Sequence, residues 1–352
     1  MNLKKIISHP LLGMTPARLA NLLITNGFRT NFVTMARVIY IFLSSFPVGI
    51  LVVIEAALYK RRIAKIKIKS DPVFIIGHWR SGTTFLHYMM AEDKRLGYIS
   101  NRQAFMPRGM LVARKITNML AKMHMLEKRP MDDVKLTPES PQEEEYALLH
   151  YGVGTYLGNI FPRKMRDYFM IYADLEPFKE VYYRLVQKIT FASSGKQLLL
   201  KNPVNTLRIK TLLELFPNAK FIYLKRNPYE VYFSTIRLYE KMTESFTLQK
   251  YDPSAIKLIV PELYKFFEEK YAADKKLIPQ GQLLEISYEE LMTDPLASAQ
   301  RIYESLKLPE FSVAKESFAA FLKTQREYKP AEYKITEETK KHIDELLCLS
   351  KN

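Results

Sequence analysis

Four short runs of the chain are apolar with almost no interruption: Val73–Ile76, Gln197–Lys201, Phe221–Leu224 and Gln282–Ile286. Strands buried on both faces read this way, whereas a strand with one wet face alternates apolar and polar residues. Helical spacing of apolar positions follows at 83–91 (Phe85, Leu86, Met89, Met90), at Phe178–Phe191, at Leu207–Phe216, from Pro228, at Ile259–Tyr271, up to about Leu306, and at Glu337–Leu347. Strands alternating with helices predict an α/β fold, a parallel sheet flanked by helices with its ligand site beyond the carboxyl ends of the strands. Arg80, Lys201 and Arg226 all fall at or just past such ends, which lines them along one edge of the sheet.

Less regular stretches carry their own expectations. Ile63–Lys69 alternates isoleucine and lysine and reads as an edge strand. Ser140-Pro141-Gln142-Glu143 has the form of a capping box with proline at the first helical position, so a helix should start at Pro141 and run to Leu149. Tyr151–Arg166 mixes glycines with aromatics and reads as a loop suited to a lid, and the basic arm Phe321–Pro330 is expected over the crevice. Asp93–Met125, rich in methionine, is either helical core or the wall of an adaptable apolar pocket.

The N-terminal part differs from the rest. Val38–Ile54 is apolar, interrupted by Pro47 and Gly49, and is followed by Lys60-Arg61-Arg62. About 17 residues is the lower limit for a span, and basic residues on both sides leave its orientation open. Three readings stand: a helix or hairpin lying in a membrane interface, a core helix over an apolar pocket, or a true span. No cleavable leader is expected in residues 1–37. The expected plan is a helical segment at 1–69, open to peripheral membrane contact through residues 38–62, and a second domain at 70–352.

The candidate chemistry centres on Gly77-His78-Trp79-Arg80-Ser81-Gly82-Thr83-Thr84, a glycine-bracketed turn between a strand and a helix. The first amides of that helix lack intrahelical partners and its dipole is positive there, which makes an anion site of Arg80, Ser81, Gly82, Thr83 and Thr84. The glycines have the spacing of the nucleotide-triphosphate loop, but Thr83 occupies the place of its lysine, which argues against triphosphate chemistry. Asn227 with Pro228 sets Arg226 just ahead of a second helix start, with Ser234 two turns on. Three carboxylates, Glu143, Glu144 and Glu145, crowd one helix start, where they either favour the dipole or supply a general base. Of these, Glu143 looks most like a cap and Glu145 is expected to point inward.

Composition narrows the partners. The 352 residues include 53 Lys+Arg and 37 Asp+Glu, a formal charge of +16. Such an excess suits a nucleotide or an anionic membrane surface. Nucleic acid is not expected as a partner, because no signature of a nucleic-acid-binding module is present. No Cys/His cluster has metal-ligand spacing, so no metal is expected. The one cysteine, Cys348, forbids an internal disulfide and fits a cytoplasmic protein, peripheral at most to the inner face of a membrane.

Four segments in order resemble the sulfotransferases that use 3′-phosphoadenosine 5′-phosphosulfate (PAPS), closer to the bacterial branch than to the cytosolic animal enzymes. They are Gly77–Thr84, Ser140–Leu149, Leu200–Pro203 with Phe216-Pro217, and Arg226-Asn227-Pro228 with Val231 and Ser234; Tyr288-Glu289 with Asp294-Pro295 adds a weaker fifth. The resemblance implies a fold like that of P-loop nucleotide triphosphatases and transfer of a sulfuryl group from PAPS to a hydroxyl, leaving 3′-phosphoadenosine 5′-phosphate (PAP). It implies that residues 80–84 hold the 5′-phosphosulfate, that Arg226 and Ser234 hold the 3′-phosphate, and that Lys201 touches the transferring group. The animal enzymes' histidine after the second strand is absent here, where Lys201-Asn202-Pro203 stands. The base is therefore sought in Glu143, Glu144 or Glu145, with His150 next. The methionine- and aromatic-rich regions point to a small, lipophilic acceptor such as a sterol, steroid or lipid alcohol. The rival readings are a nucleotide-dependent, kinase-like phosphotransferase and a non-catalytic PAP-binding membrane adaptor.

Overall fold

The computed structural model describes residues 8–27, 30–112, 114–124, 136–171, 176–325 and 335–347. Cys348, the loop around Arg129–Asp132 and the arm beyond Gln325 lie outside them. The chain folds as two compact units, each built from separated stretches. Residues 1–68, 98–195 and 238–253 form the first; residues 69–97, 196–237 and 254–352 form the second. Residues 98–195 and 238–253 group with the N-terminal helices and not with the sheet.

The second unit carries, among the described residues, five strands: β1 (Val73–Gly77), β2 (Leu96–Gly97), β3 (Gln197–Lys201), β4 (Lys220–Lys225) and β5 (Leu283–Ser287). They pair in parallel in the order β2-β3-β1-β4-β5. One face of the sheet packs Val73, Ile75, Leu199 and Ile222 with Leu86, Met89, Ile302 and Phe318 from helices Thr83–Met90, Pro295–Ser305 and Phe311–Thr324. The other face stacks Phe74 on Phe221, with Phe216 at its edge. Burial on both faces explains the apolar runs of β1, β3 and β4, whereas the edge strand β5 leaves Glu285 exposed. From β1 the chain goes on to β2 and β3 on one side, whereas from β4 it goes on to β5 on the other. The loops leaving β1 and β4 thus diverge, and a crevice opens between them.

The first unit is helical. Its longest element, Phe32–Ala64, runs through Pro47 without a break. Asn31 starts it with a capping box formed with Thr34. The buried face of this helix is tied to the unit at two places. Arg37 donates to the carbonyls of Thr247 (3.0 Å) and Glu244 (3.3 Å). Glu55 is ion-paired with Lys188, and its second oxygen accepts the amide of Leu111 at 2.7 Å.

Several local expectations are corrected. Ile63–Lys69 is not a strand: the long helix runs to Ala64 and the chain then continues irregularly, with Ile66 offering its carbonyl to Gln187. The helix expected from Pro141 begins at Glu144. Pro141 instead bridges Ser100 in antiparallel fashion, and Ser140 is used by Thr137, so the capping box does not form. Tyr151–Arg166 is no open loop: it contains the helix Leu157–Ile160 and a 3-10 turn at Pro162–Lys164, and most of it is buried. Phe321 and Leu322 belong to the helix Phe311–Thr324 and pack on the core, so the arm does not start at Phe321.

Candidate active site

The loop after β1 is built by close approach. Gly77 has φ +133, and a Cβ there would sit 2.4 Å from the Leu224 carbonyl on the neighbouring strand. Thr206 clamps the same residue, its hydroxyl accepting the Gly77 amide at 2.9 Å and lying 3.2 Å from its carbonyl. The Ser81 hydroxyl donates to the His78 carbonyl at 2.7 Å and closes the turn. Arg80 takes a left-handed backbone, φ +69, which costs a residue with a side chain on the order of 1 kcal/mol. That conformation is answered by Arg226, whose guanidinium donates to the Arg80 carbonyl at 2.8 Å.

Both arginines therefore belong to one network. The Arg80 Nε donates to the Ser234 hydroxyl at 2.8 Å. Arg226 is ion-paired with Glu230, at 2.5 and 2.9 Å, and its guanidinium carbon lies 4.0 Å from the centre of the Tyr288 ring. Tyr288 in turn packs on the loop: a Cβ on Gly82, whose φ is +91, would meet its ring at 2.6 Å. Lys201, at the end of β3 and in register with Ile75 of β1, donates to the Thr84 hydroxyl at 3.3 Å. The structure thus brings Arg80, Ser81, Gly82, Thr83, Thr84, Lys201, Arg226 and Ser234 to one end of the sheet, at the start of the Thr83–Met90 helix. A cavity of about 330 Å³ opens beside this loop, with His78, Ser81, Lys225, Arg226, Tyr264 and Glu268 in its lining. Burial raises the Glu268 carboxyl above its ordinary value, and the Tyr223 hydroxyl donates to it at 3.1 Å.

Several members of this network were not singled out from the sequence. His87 is buried; burial first, and then the charge of Lys201, hold its imidazole well below the usual range and therefore neutral. The Arg226–Glu230 pair has the i,i+4 spacing of a helix-surface ion pair and was readable in principle. Tyr288 was read only as part of the weaker fifth segment of the resemblance, with no role assigned to its ring, and Thr206 carried no signal.

The three carboxylates lie in the first unit, each with a hydroxyl partner. Glu143 sits at the N-cap position of Glu144–Leu149 but makes no side-chain cap; it accepts the Tyr156 hydroxyl and keeps 7% exposure. Glu144, fully buried, accepts the Tyr182 hydroxyl at 2.8 Å. Glu145 does point inward, where it accepts both the amide (2.5 Å) and the hydroxyl (2.8 Å) of Thr155. His150 is enclosed in the same unit beside Gly13, and burial lowers its pKa to about 4. Among the described residues no group of three or more His, Cys, Asp or Glu is placed to hold a metal ion.

Residues 72–312 match the model of a sulfotransferase family. The chain is 32% identical over 303 residues to the omega-hydroxy-beta-dihydromenaquinone-9 sulfotransferases Stf3 of Mycobacterium bovis and Mycobacterium tuberculosis, covering 83% of this chain and 76% of theirs. Among solved structures it resembles sulfotransferase STF1 of Mycobacterium tuberculosis (TM-score 0.67, 17% identity, 94% of this chain and 91% of that one). It also resembles STF9 of Mycobacterium avium (TM-score 0.66, 15% identity, 96% and 95%). The last two likenesses speak for the fold, and the family match and the Stf3 relatives go further. A lysine-free anion loop, a second arginine on the same network and these relatives place the chain in one group: it belongs to the bacterial PAPS-dependent sulfotransferase family.

Proposed function

We propose that this sulfotransferase acts on the hydroxyl of a lipophilic acceptor of the sterol, steroid or lipid-alcohol class, and that it works against a membrane it touches through residues 38–62 from the cytoplasmic side. The observation that carries the donor half is the shared network of Arg80, Ser234 and Arg226, which sets two guanidiniums and a helix N-terminus at one end of the sheet. The acceptor half is supported by the Stf3 relatives, whose name specifies a hydroxylated menaquinone.

In this reading Arg80, Ser81, Gly82, Thr83 and Thr84 hold the phosphosulfate end of PAPS, and Arg226 with Ser234 holds the 3′-phosphate. PAPS supplies an activated sulfuryl group on a phosphate leaving group. Arg80 and Lys201 provide fixed positive charge, and the loop amides provide donors that need no reorientation. The general base is proposed from Glu143–Glu145 on chemistry: Glu143 ranks first, because it caps no helix and keeps some exposure, while the Thr155 turn uses Glu145.

Incubation with labelled PAPS and a panel of sterols, long-chain lipid alcohols, phenols and sugars tests the reading. Label is expected on a lipid alcohol or sterol. Glu143→Gln should lower kcat by roughly 100-fold while PAP affinity holds, as removal of a general base does. Label only on sugars or phenols overturns the acceptor class, and PAP binding without any product leaves the adaptor reading.

A further inference from the structure

The long first-unit helix has two faces of opposite character. Ile39, Leu43, Phe46, Ile50, Val53 and Leu58 recur at helical spacing, and each is more than half exposed. The opposite face, with Arg37, Ile41, Ser45, Val48 and Glu55, is buried in the unit. At about 1.5 Å per residue the exposed stripe is roughly 28 Å long. Between Val38 and Tyr59 the one charged residue is Glu55, and it is buried and paired with Lys188. Immediately after the stripe come Lys60, Arg61, Arg62, Lys65 and Lys67, all exposed.

We propose that this helix lies in the plane of an anionic lipid bilayer, its apolar stripe among the acyl chains and its basic end on the headgroups. This deepens the membrane contact of the proposed function and rests on that reading. A stripe on one face, with charges at one end, is the pattern of an interfacial helix. Spanning would strip Arg37 and Glu55 from their partners and place two charges in hydrocarbon. A second copy of the chain would match the stripe but would bring the same positive cluster and no complement to it on this helix. An anionic bilayer meets both parts of the surface at once.

The test is flotation of the full chain with phosphatidylcholine vesicles, with and without phosphatidylglycerol, alongside light scattering for its oligomeric state. The chain is expected to be monomeric and to float with the anionic vesicles. Phe46→Glu/Ile50→Glu should weaken partitioning by roughly 100-fold, as loss of two buried apolar side chains requires. Lys60→Glu/Arg61→Glu/Arg62→Glu should abolish the preference for phosphatidylglycerol. In a Cys348→Ser background, an environment-sensitive dye on Ile50→Cys should shift to the blue with vesicles, a readout independent of the glutamate variants. Wild-type chain that does not float, flotation unchanged in Phe46→Glu/Ile50→Glu, or a dimer that those substitutions dissociate would each overturn the proposal. Sulfuryl transfer to a short soluble alcohol without vesicles separates the two readings. Its survival in Phe46→Glu/Ile50→Glu shows a folded enzyme, whereas failure of the wild type to label any sterol or lipid alcohol dispersed in detergent refutes the acceptor reading and leaves the flotation result standing.

Discussion

Replacing Gly82 by alanine should damage stability and nucleotide binding together, because one residue supports both. Its φ of +91 is a conformation that a side chain disfavours by about 1–2 kcal/mol. The added Cβ would also lie 2.6 and 3.0 Å from two Tyr288 ring carbons and 3.5 Å from Leu224. Overpacking of this kind costs about 1–3 kcal/mol. The sum, about 2–5 kcal/mol, corresponds to a fall in Tm of roughly 5–15 °C for a domain of this size. The binding effect follows from what Tyr288 carries. If the ring yields to the new methyl group, it leaves the Arg226 guanidinium now 4.0 Å from its centre. A cation–π contact contributes about 0.5–2 kcal/mol, so PAP affinity should drop by roughly 2- to 30-fold. Thermal melts and calorimetric titration of PAP measure both effects. The decisive comparison adds Tyr288→Ala: with the ring gone, Gly82→Ala should retain only its backbone cost, so the two substitutions should couple by at least about 1 kcal/mol. Strict additivity, or a Gly82→Ala protein with wild-type Tm and PAP affinity, would refute the reasoning.

Ser234→Ala removes the acceptor of the 2.8 Å bond from Arg80 and should weaken PAP about tenfold, read by calorimetry, since hydrogen bonds to charged groups contribute about 1.5–3 kcal/mol. Lys188→Met leaves Glu55 buried without its cation and should destabilise the chain by about 3–5 kcal/mol, whereas Lys188→Met with Glu55→Met should recover much of the loss in urea unfolding. His78 and His150, buried and lowered to about 4 from 6.5, bind protons more readily when the chain is unfolded. Their contribution to stability is complete above pH 6.5 and lost as the pH falls toward 4. Each contributes roughly 2–3 kcal/mol, and His78→Asn should flatten the urea midpoint over that window.

Much of the second unit was legible because β1, β3 and β4 are buried on both faces and write themselves as apolar runs. Gln197–Lys201 and Glu337–Leu347 keep their expected bounds, and the other three expected strands shift by a residue at one or both ends. The two-residue β2 had no such signature, being too short to show a period. Local signals failed where a distant segment competed for the same groups. Ser140 could have capped a helix at Pro141, but that stretch is drawn instead to residues 99–101: the Ile99 carbonyl takes the amide of Gln142, and Gln142 bonds Asn101. Glu143 lost its expected cap for the same reason, since the Tyr156 hydroxyl donates to it from a following segment whose fold no spacing rule describes, whereas Glu145 points inward as expected and accepts from Thr155 of that segment.

By itself the amino-acid order determined the α/β plan, the anion loop at Gly77–Thr84 and the alignment of Arg80, Lys201 and Arg226 at strand ends, because these follow from backbone conformation and strand direction over a few residues. It also determined that residues 38–58 would be apolar, without saying which side faces outward. Tertiary structure alone decided that Arg226 would reach the Arg80 carbonyl and stack on Tyr288, that His87 would stay neutral beside Lys201, and that the long helix would bury Arg37 and Glu55 while leaving its other face bare. Those outcomes depend on which side chains meet after segments far apart in the chain pack together, and the physics of packing acts on distances that a linear sequence does not contain.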